Sequence, residues 1–328
     1  MIKIFFPPIK SVTGGMQVLI QLAEQFQASN TNTAFYLWED GHETMLKNKG
    51  FEVMVGKNTH FAPEDIFLVP EGWPNVLPMA LNSGARCVVY CQNWAYLFSG
   101  LPEDVAWSDL PVDFISVSDP VRIFIKESLG KDAPVIRPYI DQSLFAPFKK
   151  KPKGIINISY MPRKNRALYK QIRRVFEARN RNLSLKIKWI NIEGLEQQEV
   201  AQHLKNSHIF LTTGFPEGFS LPPLEAMACG CLVTGFAGFG GWDYMRQACN
   251  GYLPQIPLRP APWQGNGLFC ADGDVLSAAL NLEKAVQLIV NRDEKLSDIL
   301  ENSIMTAQSF SRESQAKEIA ECELLATK

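Results

Sequence analysis

Short apolar runs alternate along the chain with longer segments in which apolar residues recur at helical spacing. Each short run is bounded by Gly, Pro or polar residues, which is typical of a buried strand. Helical spacing follows several of these runs, for example over residues 18–26 and 121–129. The alternation predicts parallel sheets with right-handed crossovers, and therefore the α/β class. In the first part of the chain the runs lie at residues 2–6, 33–38, 51–55, 66–69, 87–91, 114–117 and 135–137.

A basic segment rich in breakers, FKKKPKG, predicts a linker near residues 146–153 with solvated lysines. The alternation starts again after it and indicates a second domain, as expected for 328 residues. The predicted strands of this part lie at residues 154–159, 185–190, 208–211 and 231–234, and the last predicted helices lie at residues 275–290, 295–307 and 312–326.

The stretch TTGFPEGFSLPPLEAMACGC, residues 212–231, carries the densest set of local signals. It predicts a strand, a Gly/Pro-rich loop, a helix and a further strand. Ser220 suits the N-cap of the helix, the two prolines after Leu221 suit its first turn, and Gly230 suits its end. The free N–H groups and the positive dipole end of such a helix favour a bound phosphate.

Two carboxylates bracket this helix start, since Glu217 lies in the loop and Glu225 one turn inside the helix. The wording EGFSLPPLEAMACG resembles the Glu-x7-Glu signature of retaining, nucleotide-sugar-dependent glycosyltransferases of family 4, which usually have Gly in place of Ser220. The resemblance implies that Glu217 is catalytic and binds hydroxyls of the donor sugar, and that Glu225 binds the ribose hydroxyls. It further implies that the backbone amides of Phe219, Ser220 and Leu221 contact the sugar and the diphosphate.

Cationic groups follow the first strand of the second domain, where the family has Gly-Arg and then a Lys. Lys164 matches the Lys, Tyr160 stands in place of the Arg, and Arg163 is a second cation beside Lys164. The resemblance implies that Lys164 and Arg163 are catalytic and contact the donor diphosphate, and that Tyr160 belongs to the donor-binding residues. An exposed helix start is the alternative, although two cations there oppose the helix dipole. The resemblance also implies a turn and a strand at residues 250–253.

The first domain has its own glycine pair, Gly14 and Gly15, in a loop before a helical segment. A tight turn explains such a pair as well as a ligand does. In family 4 a comparable Gly-Gly loop faces the donor diphosphate and the acceptor, which implies a donor-binding role for both glycines here.

The acceptor side departs from the family pattern, because Gln92 and Asn93 stand where many relatives carry a His. Neither amide can act as a base. In the family's front-face reaction the leaving phosphate oxygen can act as the base instead. Glu71, in the sequence PEGWP, is a further candidate for contacting acceptor hydroxyls, and a solvated loop carboxylate is its alternative.

Composition narrows the possible partners. The net charge is −1, which gives no sign of a nucleic-acid footprint. The seven cysteines include no CxxC pair and the four histidines have no zinc-ligand spacing, so no metal site and no cofactor are expected. The cysteine usage and the missing signal peptide predict a cytoplasmic protein, with peripheral attachment to the inner membrane face left open.

The resemblance implies the GT-B architecture, with two Rossmann-like domains facing each other across a cleft. The predicted parts are an acceptor-side domain (1–148), a donor-binding domain (149–310) and a C-terminal helix (311–328) that packs back toward the first domain. The predicted activity is transfer of a hexosyl group from a nucleoside diphosphate sugar to a glycan or lipid-linked acceptor, with retention and without metal, in polysaccharide or glycoconjugate synthesis. An inactive binding protein of the same fold and a nucleotide-sugar epimerase remain as alternatives, and the oligomeric state is left open.

Overall fold

The computed structural model describes residues 1–39, 41–56, 59–148, 151–181 and 186–326. These residues form two parallel sheets flanked by helices, which confirms the predicted α/β class with two Rossmann-like sheets. The chain divides into two compact units. The first unit comprises Met1–Pro138 together with Glu313–Lys328, and the second comprises Tyr139–Arg312.

The first unit contains a six-stranded sheet in the order β3-β2-β1-β4-β5-β6. The apolar runs form buried strands because both faces of a parallel sheet are covered by helices. The strand order reverses between β1 and β4, and ligands of open α/β sheets bind beyond the carboxyl ends of strands at such a switch point. The elements are β1 (Ile2–Phe5), α1 (Gly14–Ala28), β2 (Thr33–Leu37), α2 (Glu43–Asn48), β3 (Glu52–Val55), β4 (Ile66–Pro70), α3 (Leu77–Leu81), β5 (Arg86–Cys91), β6 (Val112–Ser116) and α4 (Asp119–Leu129).

The second unit contains a five-stranded sheet in the order β11-β10-β9-β7-β8. Its switch point lies between β7 and β9, the strands that precede the predicted cations and the Glu-x7-Glu stretch. The elements are β7 (Ile155–Tyr160), α5 (Arg166–Arg179), β8 (Lys186–Asn191), α6 (Gln197–Lys205), β9 (Ile209–Thr212), α7 (Leu221–Ala228), β10 (Leu232–Phe236), β11 (Gly267–Cys270), α8 (Val275–Val290) and α9 (Glu294–Gln308).

Two sequence-based predictions of local structure are wrong, and one strand was missed. The run at residues 135–137 forms only an isolated bridge, between Val135 and Ser116. Residues 250–253, where the resemblance implies a turn and a strand, form no strand, and Leu253 is 61% exposed. The fifth strand of the sheet is β11. The sequence analysis missed β11 because it consists of only four residues and follows a long irregular Pro-rich segment.

The linker and the C-terminal segment contribute specific contacts. Lys149 and Lys150 lie outside the described residues, whereas Lys151 Nζ donates to the carbonyl oxygens of Ser207 and Gly230, just beyond α6 and α7. Lys151 is therefore not a solvated linker residue. The last helix, α10 (Arg312–Ala320), is shorter than predicted. No helix in the described part of the chain is both long and apolar enough to cross a bilayer.

Two arginines bind the C-terminal segment to the rest of the first unit: Arg86 Nη1 donates to the Leu324 carbonyl oxygen at 3.3 Å, and Arg137 makes the closer contacts. Arg137 pairs with Glu318 of α10 at 2.6 Å and with Asp119 at the start of α4 at 2.6 Å. The backbone N–H of Arg137 donates to Glu318 as well. Residues from three distant parts of the chain therefore meet at this guanidinium group.

Candidate functional site

An ion pair joins the two loops that leave the switch point of the second unit. Lys164 Nζ, in the loop after β7, lies 2.9 Å from Glu217 Oε1, in the loop after β9. The same ammonium group donates to the Pro216 carbonyl oxygen at 2.8 Å. Both side chains are about one-fifth exposed, so the pair is accessible to a ligand. The structure thus brings together two of the residues that the sequence assigns to catalysis.

Asn165 fixes the relative position of these loops. Its side-chain amide donates to the Thr213 and Phe215 carbonyl oxygens, at 3.0 and 2.8 Å. Its backbone has φ 60°, in the left-handed region that Asn tolerates better than most residues. The sequence analysis missed Asn165, and the Asn between Lys164 and the start of α5 is the signal that could have revealed it.

A glycine loop after β10 supports the backbone of Glu217. Glu217 N donates to the Gly238 carbonyl oxygen at 2.9 Å, and Gly240 N donates to the Glu217 carbonyl oxygen at 3.0 Å. Gly238 has φ +72°, and a Cβ at Gly240 would lie 2.0 Å from the Gly218 backbone. Only glycine allows this close contact between the two loops.

Asp272, which follows β11, holds the glycine loop from its other side. Its Oδ1 accepts a hydrogen bond from Gly238 N at 2.8 Å. Burial raises the pKa of Asp272, an effect that hydrogen bonds from backbone amides of the glycine loop partly offset. Asp272 therefore acts on Glu217 through the loop between them. The sequence analysis missed Asp272 because it missed β11, the strand that precedes this residue.

The start of α7 differs from the prediction in its cap. Ser220 occupies the N-cap position, but its side chain makes no capping hydrogen bond, and its backbone is left-handed with φ 72°. Pro222 and Pro223 carry no N–H, so the donors at this helix end are the amides of residues 219–221. These three amides have no hydrogen-bond acceptor among the described residues. They are therefore available to an anion or to sugar hydroxyls.

Tyr244 stabilises the start of α7. Its hydroxyl group donates to the Ser220 carbonyl oxygen at 2.6 Å, and burial raises its pKa. The Tyr244 ring packs against Phe219 and Phe310, with ring centroids 5.2 and 5.7 Å away. Because the Phe219 ring is occupied by this packing, only its backbone is left for a ligand. No sequence signal distinguishes Tyr244 from other core aromatic residues.

Glu225 lies in the second turn of α7 with a carboxylate that has no hydrogen bond and no ion pair among the described residues. The side chain is half-buried, and desolvation raises its pKa to about 7. A desolvated carboxylate without a partner is costly unless a ligand supplies donors. Complementing the helix dipole does not explain this position, because the residue lies beyond the first turn.

Tyr160 and Arg163 are placed differently from Lys164. The Tyr160 ring stacks on Tyr169 at 3.6 Å and belongs to the hydrophobic core, so only its backbone at the end of β7 is left for a ligand. The Arg163 side chain is exposed. Among the described residues no group of three His, Cys, Asp or Glu side chains has a metal-binding arrangement.

The first unit brings Gly15 and Gln92 together. Gly14 and Gly15 are the first two residues of α1 and not part of a loop as predicted, and Thr13 caps the helix by accepting from Met16 N. A Cβ at Gly15 would lie 2.4 Å from Gln92 Oε1, whereas one at Gly14 would meet nothing within 4 Å. Gln92 Nε2 is buried and has no partner among the described residues.

Glu71 binds the backbone of Gln92 and Asn93. Its two carboxylate oxygens accept hydrogen bonds from the backbone N–H groups of Gln92 and Asn93, both at 2.9 Å. The residue is only 4% exposed, and burial raises its pKa to about 7. Glu71 is therefore not a solvated loop carboxylate. It links the loops after β4 and β5, and so all three acceptor-side candidates lie in one cluster.

Comparisons with known proteins find relatives in sequence and in fold. The family described as "Glycosyl transferases group 1" matches residues 171–257, which include the Glu-x7-Glu stretch. The chain is 27% identical to an alpha-1,6-glucosyltransferase from Actinobacillus pleuropneumoniae serotype 7 (strain AP76), over 238 residues that cover 69% of this chain and 70% of that protein.

Two solved structures are similar over nearly their whole length. A glycosyltransferase from Rickettsia africae ESF-5 has a TM-score of 0.71 at 14% identity, with 100% of this chain and 99% of that chain covered. A sucrose-phosphate synthase from Thermosynechococcus elongatus has a TM-score of 0.64 at 14% identity, with 98% and 97% covered. In sequence the chain is thus similar to group 1 glycosyltransferases, which supports glycosyltransferase activity, and its two parallel sheets give it the fold of GT-B glycosyltransferases.

Proposed function

We propose that the chain is a retaining glycosyltransferase that moves a hexosyl group from a nucleoside diphosphate sugar to an acceptor hydroxyl without a metal ion. The arrangement at the switch point of the second unit carries the proposal. There the Lys164–Glu217 pair, three backbone amides without acceptors and the unpartnered Glu225 carboxylate surround one helix start. A nucleotide sugar has a diphosphate, sugar hydroxyls and ribose hydroxyls, which match these three kinds of group.

Each part of the donor has a proposed contact. The Glu225 carboxylate accepts hydrogen bonds from the two ribose hydroxyls, which replace the donors that it lacks in the ligand-free chain. The amides of residues 219–221 donate to the diphosphate at the positive end of α7. Glu217, fixed by Gly238 and Gly240, accepts from hydroxyls of the donor sugar.

Lys164 is proposed to stabilise the charge that grows on the leaving diphosphate. As the glycosidic bond breaks, negative charge accumulates on the phosphate oxygen, and an ammonium group placed beforehand lowers that barrier. The diphosphate competes with Glu217 for Lys164, so donor binding releases the carboxylate for the sugar. The leaving phosphate oxygen takes the proton of the acceptor hydroxyl, as required when the new bond forms on the same face.

The Glu71 cluster of the first unit is proposed to form the acceptor side, and Gly14 and Gly15 keep their proposed donor-binding role. Gln92 Nε2 offers a hydrogen-bond donor without a partner, and Glu71 holds the backbone of Gln92 and Asn93. The acceptor is a glycan or a lipid-linked glycan. Cytoplasmic location and peripheral membrane attachment remain predictions from the sequence.

Calorimetric binding of UDP-glucose, GDP-mannose and ADP-glucose, followed by the release of nucleotide on incubation, tests the proposal. UDP-glucose is tested first because one relative is a glucosyltransferase. At least one donor is expected to bind and to be hydrolysed slowly without acceptor. Glu217→Gln should abolish hydrolysis and leave binding largely intact. If a donor binds but is not hydrolysed even slowly, the chain is a binding protein of this fold.

Glu193→Gln is the matched control. It removes the same charge from the same unit, in an exposed pair with Arg166 at 2.5 Å. Exposed pairs of this kind contribute little, so this variant should bind and hydrolyse the donor like the wild type. Failure of the wild type to bind any nucleotide sugar would refute the proposed function.

A further inference from the structure

An exposed aromatic surface lies in the loop that begins with Gln92 and Asn93 of the acceptor-side cluster. It is formed by residues 92–99, called the aromatic loop below, which begin at the carboxyl end of β5. Tyr96 and Phe98 are both 48% exposed. Large aromatic side chains with this exposure indicate an interaction surface when further rings lie beside them, as they do beside Phe98.

The aromatic loop is built as a rigid support for these rings. Glu71 accepts from the first two backbone N–H groups of the loop, and Asn93 Oδ1 accepts from Ala95 N at 3.2 Å. Leu97, between the two exposed rings, is fully buried, and its carbonyl oxygen accepts from Trp107 Nε1 at 2.7 Å. The rings therefore point outward from a fixed backbone, and ordering them on binding costs little entropy.

Helix α4 extends the aromatic surface. The ring centroid of Phe124, on α4, lies 5.5 Å from that of Trp94 and 6.4 Å from that of Phe98. Two segments of the first unit thus contribute neighbouring rings. Gln92 adds a polar group at the start of the same loop, with a buried Nε2 that has no partner among the described residues.

The charge around the aromatic loop distinguishes two kinds of partner. Residues 87–121 contain no Lys or Arg and five carboxylates. Helix α4 carries two cations: Arg122 is paired with Asp119 at 3.1 Å, and Lys126 Nζ lies 3.5 Å from the Gly130 carbonyl oxygen at the end of the helix. Anionic membrane surfaces attract clustered basic residues and are repelled by carboxylates, so this surface does not suit a bilayer. An uncharged saccharide suits it, because a sugar ring has apolar C–H faces that pack on aromatic rings and hydroxyls that accept from an amide.

We propose that the aromatic loop binds an uncharged saccharide segment of the acceptor, with Tyr96 and Phe98 as stacking platforms. The inference rests on the proposed function and specifies its acceptor as a neutral glycan bound through sugar rings. Gln92 Nε2 donates to a hydroxyl of this segment, and Glu71 is a positioning residue that holds the loop.

Binding of defined saccharides without any donor tests the inference. The probes are isomaltotriose, maltotriose, lactose and chitobiose, followed by saturation-transfer NMR and titration. At least one is expected to bind the full chain. Tyr96→Ala and Phe98→Ala should each weaken that affinity about threefold to tenfold, the size expected for one lost aromatic contact. Tyr96→Phe keeps the ring and should bind like the wild type.

Val55→Ala is the control, since Val55 is 41% exposed on β3, the edge strand separated from β5 by β2, β1 and β4. It should leave saccharide affinity unchanged, and thermal unfolding of every variant verifies that the fold is intact. Vesicles of phosphatidylglycerol and phosphatidylcholine form the second arm, and no sedimentation with them is expected.

The inference is overturned if no saccharide binds at millimolar concentration, or if both alanine variants bind as well as the wild type. Sedimentation with anionic vesicles that depends on Tyr96 and Phe98 would identify a membrane surface instead. Nucleotide-sugar binding is measured on the same samples. If saccharide binding depends on the rings and no nucleotide sugar binds, the proposed function fails and the glycan surface remains; the reverse result refutes this inference alone.

Discussion

The two switch points hold buried or half-buried carboxylates in different ways. In the first unit both oxygens of Glu71 are occupied by backbone N–H groups, and the charge is enclosed within the protein. In the second unit Glu217 faces a lysine, and Glu225 has no partner among the described residues. The same topological position therefore serves two purposes. One carboxylate organises a loop, whereas the other two are kept available for a ligand.

Replacement of Lys164, the partner of Glu217, should have the largest effect of the variants considered, and the effect should be on turnover. Lys164→Ala should lower kcat by about 10²-fold or more, because it removes charge stabilisation that is strongest in the transition state. Donor affinity should change much less. Arg166→Ala, in the exposed pair with Glu193, is the control and should be nearly silent. If only KM rises, Lys164 is a binding residue and has no special role in the leaving-group step.

Glu225→Gln should have the next largest effect. It should weaken nucleotide-sugar binding by about 1–3 kcal/mol in calorimetry, since charge-assisted hydrogen bonds to ribose are lost while the shape is kept. In the wild type, affinity should rise as pH rises through about 7, because the ionised carboxylate is the better acceptor. An equal pH dependence in wild type and variant would contradict the assignment.

Glu225 should also make the free energy of unfolding depend on pH, in the direction opposite to that of nucleotide-sugar affinity. Its pKa is raised from 4.5 to about 7, so the folded chain binds its proton more tightly than the unfolded chain does. The free energy of unfolding should therefore fall as pH rises from 4.5 to about 7. Denaturant titrations of wild type and Glu225→Gln at pH 5 and pH 8 measure this: the variant should gain stability relative to the wild type only at pH 8. No difference between the two pH values would show that the carboxylate is solvated.

Tyr244→Phe should have a moderate effect on the second unit. The lost hydroxyl group leaves the Ser220 carbonyl oxygen without its 2.6 Å donor, while the packing against Phe219 and Phe310 is kept. The free energy of unfolding should fall by about 1–2 kcal/mol in urea titrations. Tyr252→Phe, at a tyrosine that is 44% exposed, should be neutral. Equal stability of both variants would show that the buried hydrogen bond contributes nothing.

The two glycines at the start of α1 should give the smallest effect. Gly14→Ala should raise the free energy of unfolding by about 0.5 kcal/mol, because its Cβ meets nothing and the unfolded chain loses freedom. Gly15→Ala should gain less, because its Cβ would displace the Gln92 side chain. Adding Gln92→Ala to Gly15→Ala should restore the gain. Identical stabilities of the two single variants would mean that Gln92 moves at no cost.

The sequence predicted those parts of the molecule that depend on local pattern. Apolar runs predicted most strands, and the spacing of Glu217 and Glu225 around a helix start followed from the prolines and glycines between them. It failed where long-range packing decides. The short strand β11 forms because it pairs with β10, and Val135 makes only a bridge because it meets one residue of β6. No pattern within residues 250–270 distinguishes the strand from its irregular surroundings.

Contacts between distant loops were equally hidden in the site. Tyr244 and Asp272 act through hydrogen bonds to backbone atoms of other segments, and such bonds leave no motif. The ring of Tyr160 lies in the core, where it stacks on the ring of Tyr169. Only the folded structure reveals this contact. The uncapped Ser220 shows a further limit, since a residue type suited to a cap does not fix the backbone that a cap requires.

The pairing of Arg137 with Glu318 has a consequence for the order of synthesis. Residues 1–138 are synthesised first, yet the partner of Arg137 is synthesised only after the whole second unit. The second unit is continuous in sequence and can complete its folding during translation. The first unit begins to fold earlier and is completed later, when α10 leaves the exit tunnel.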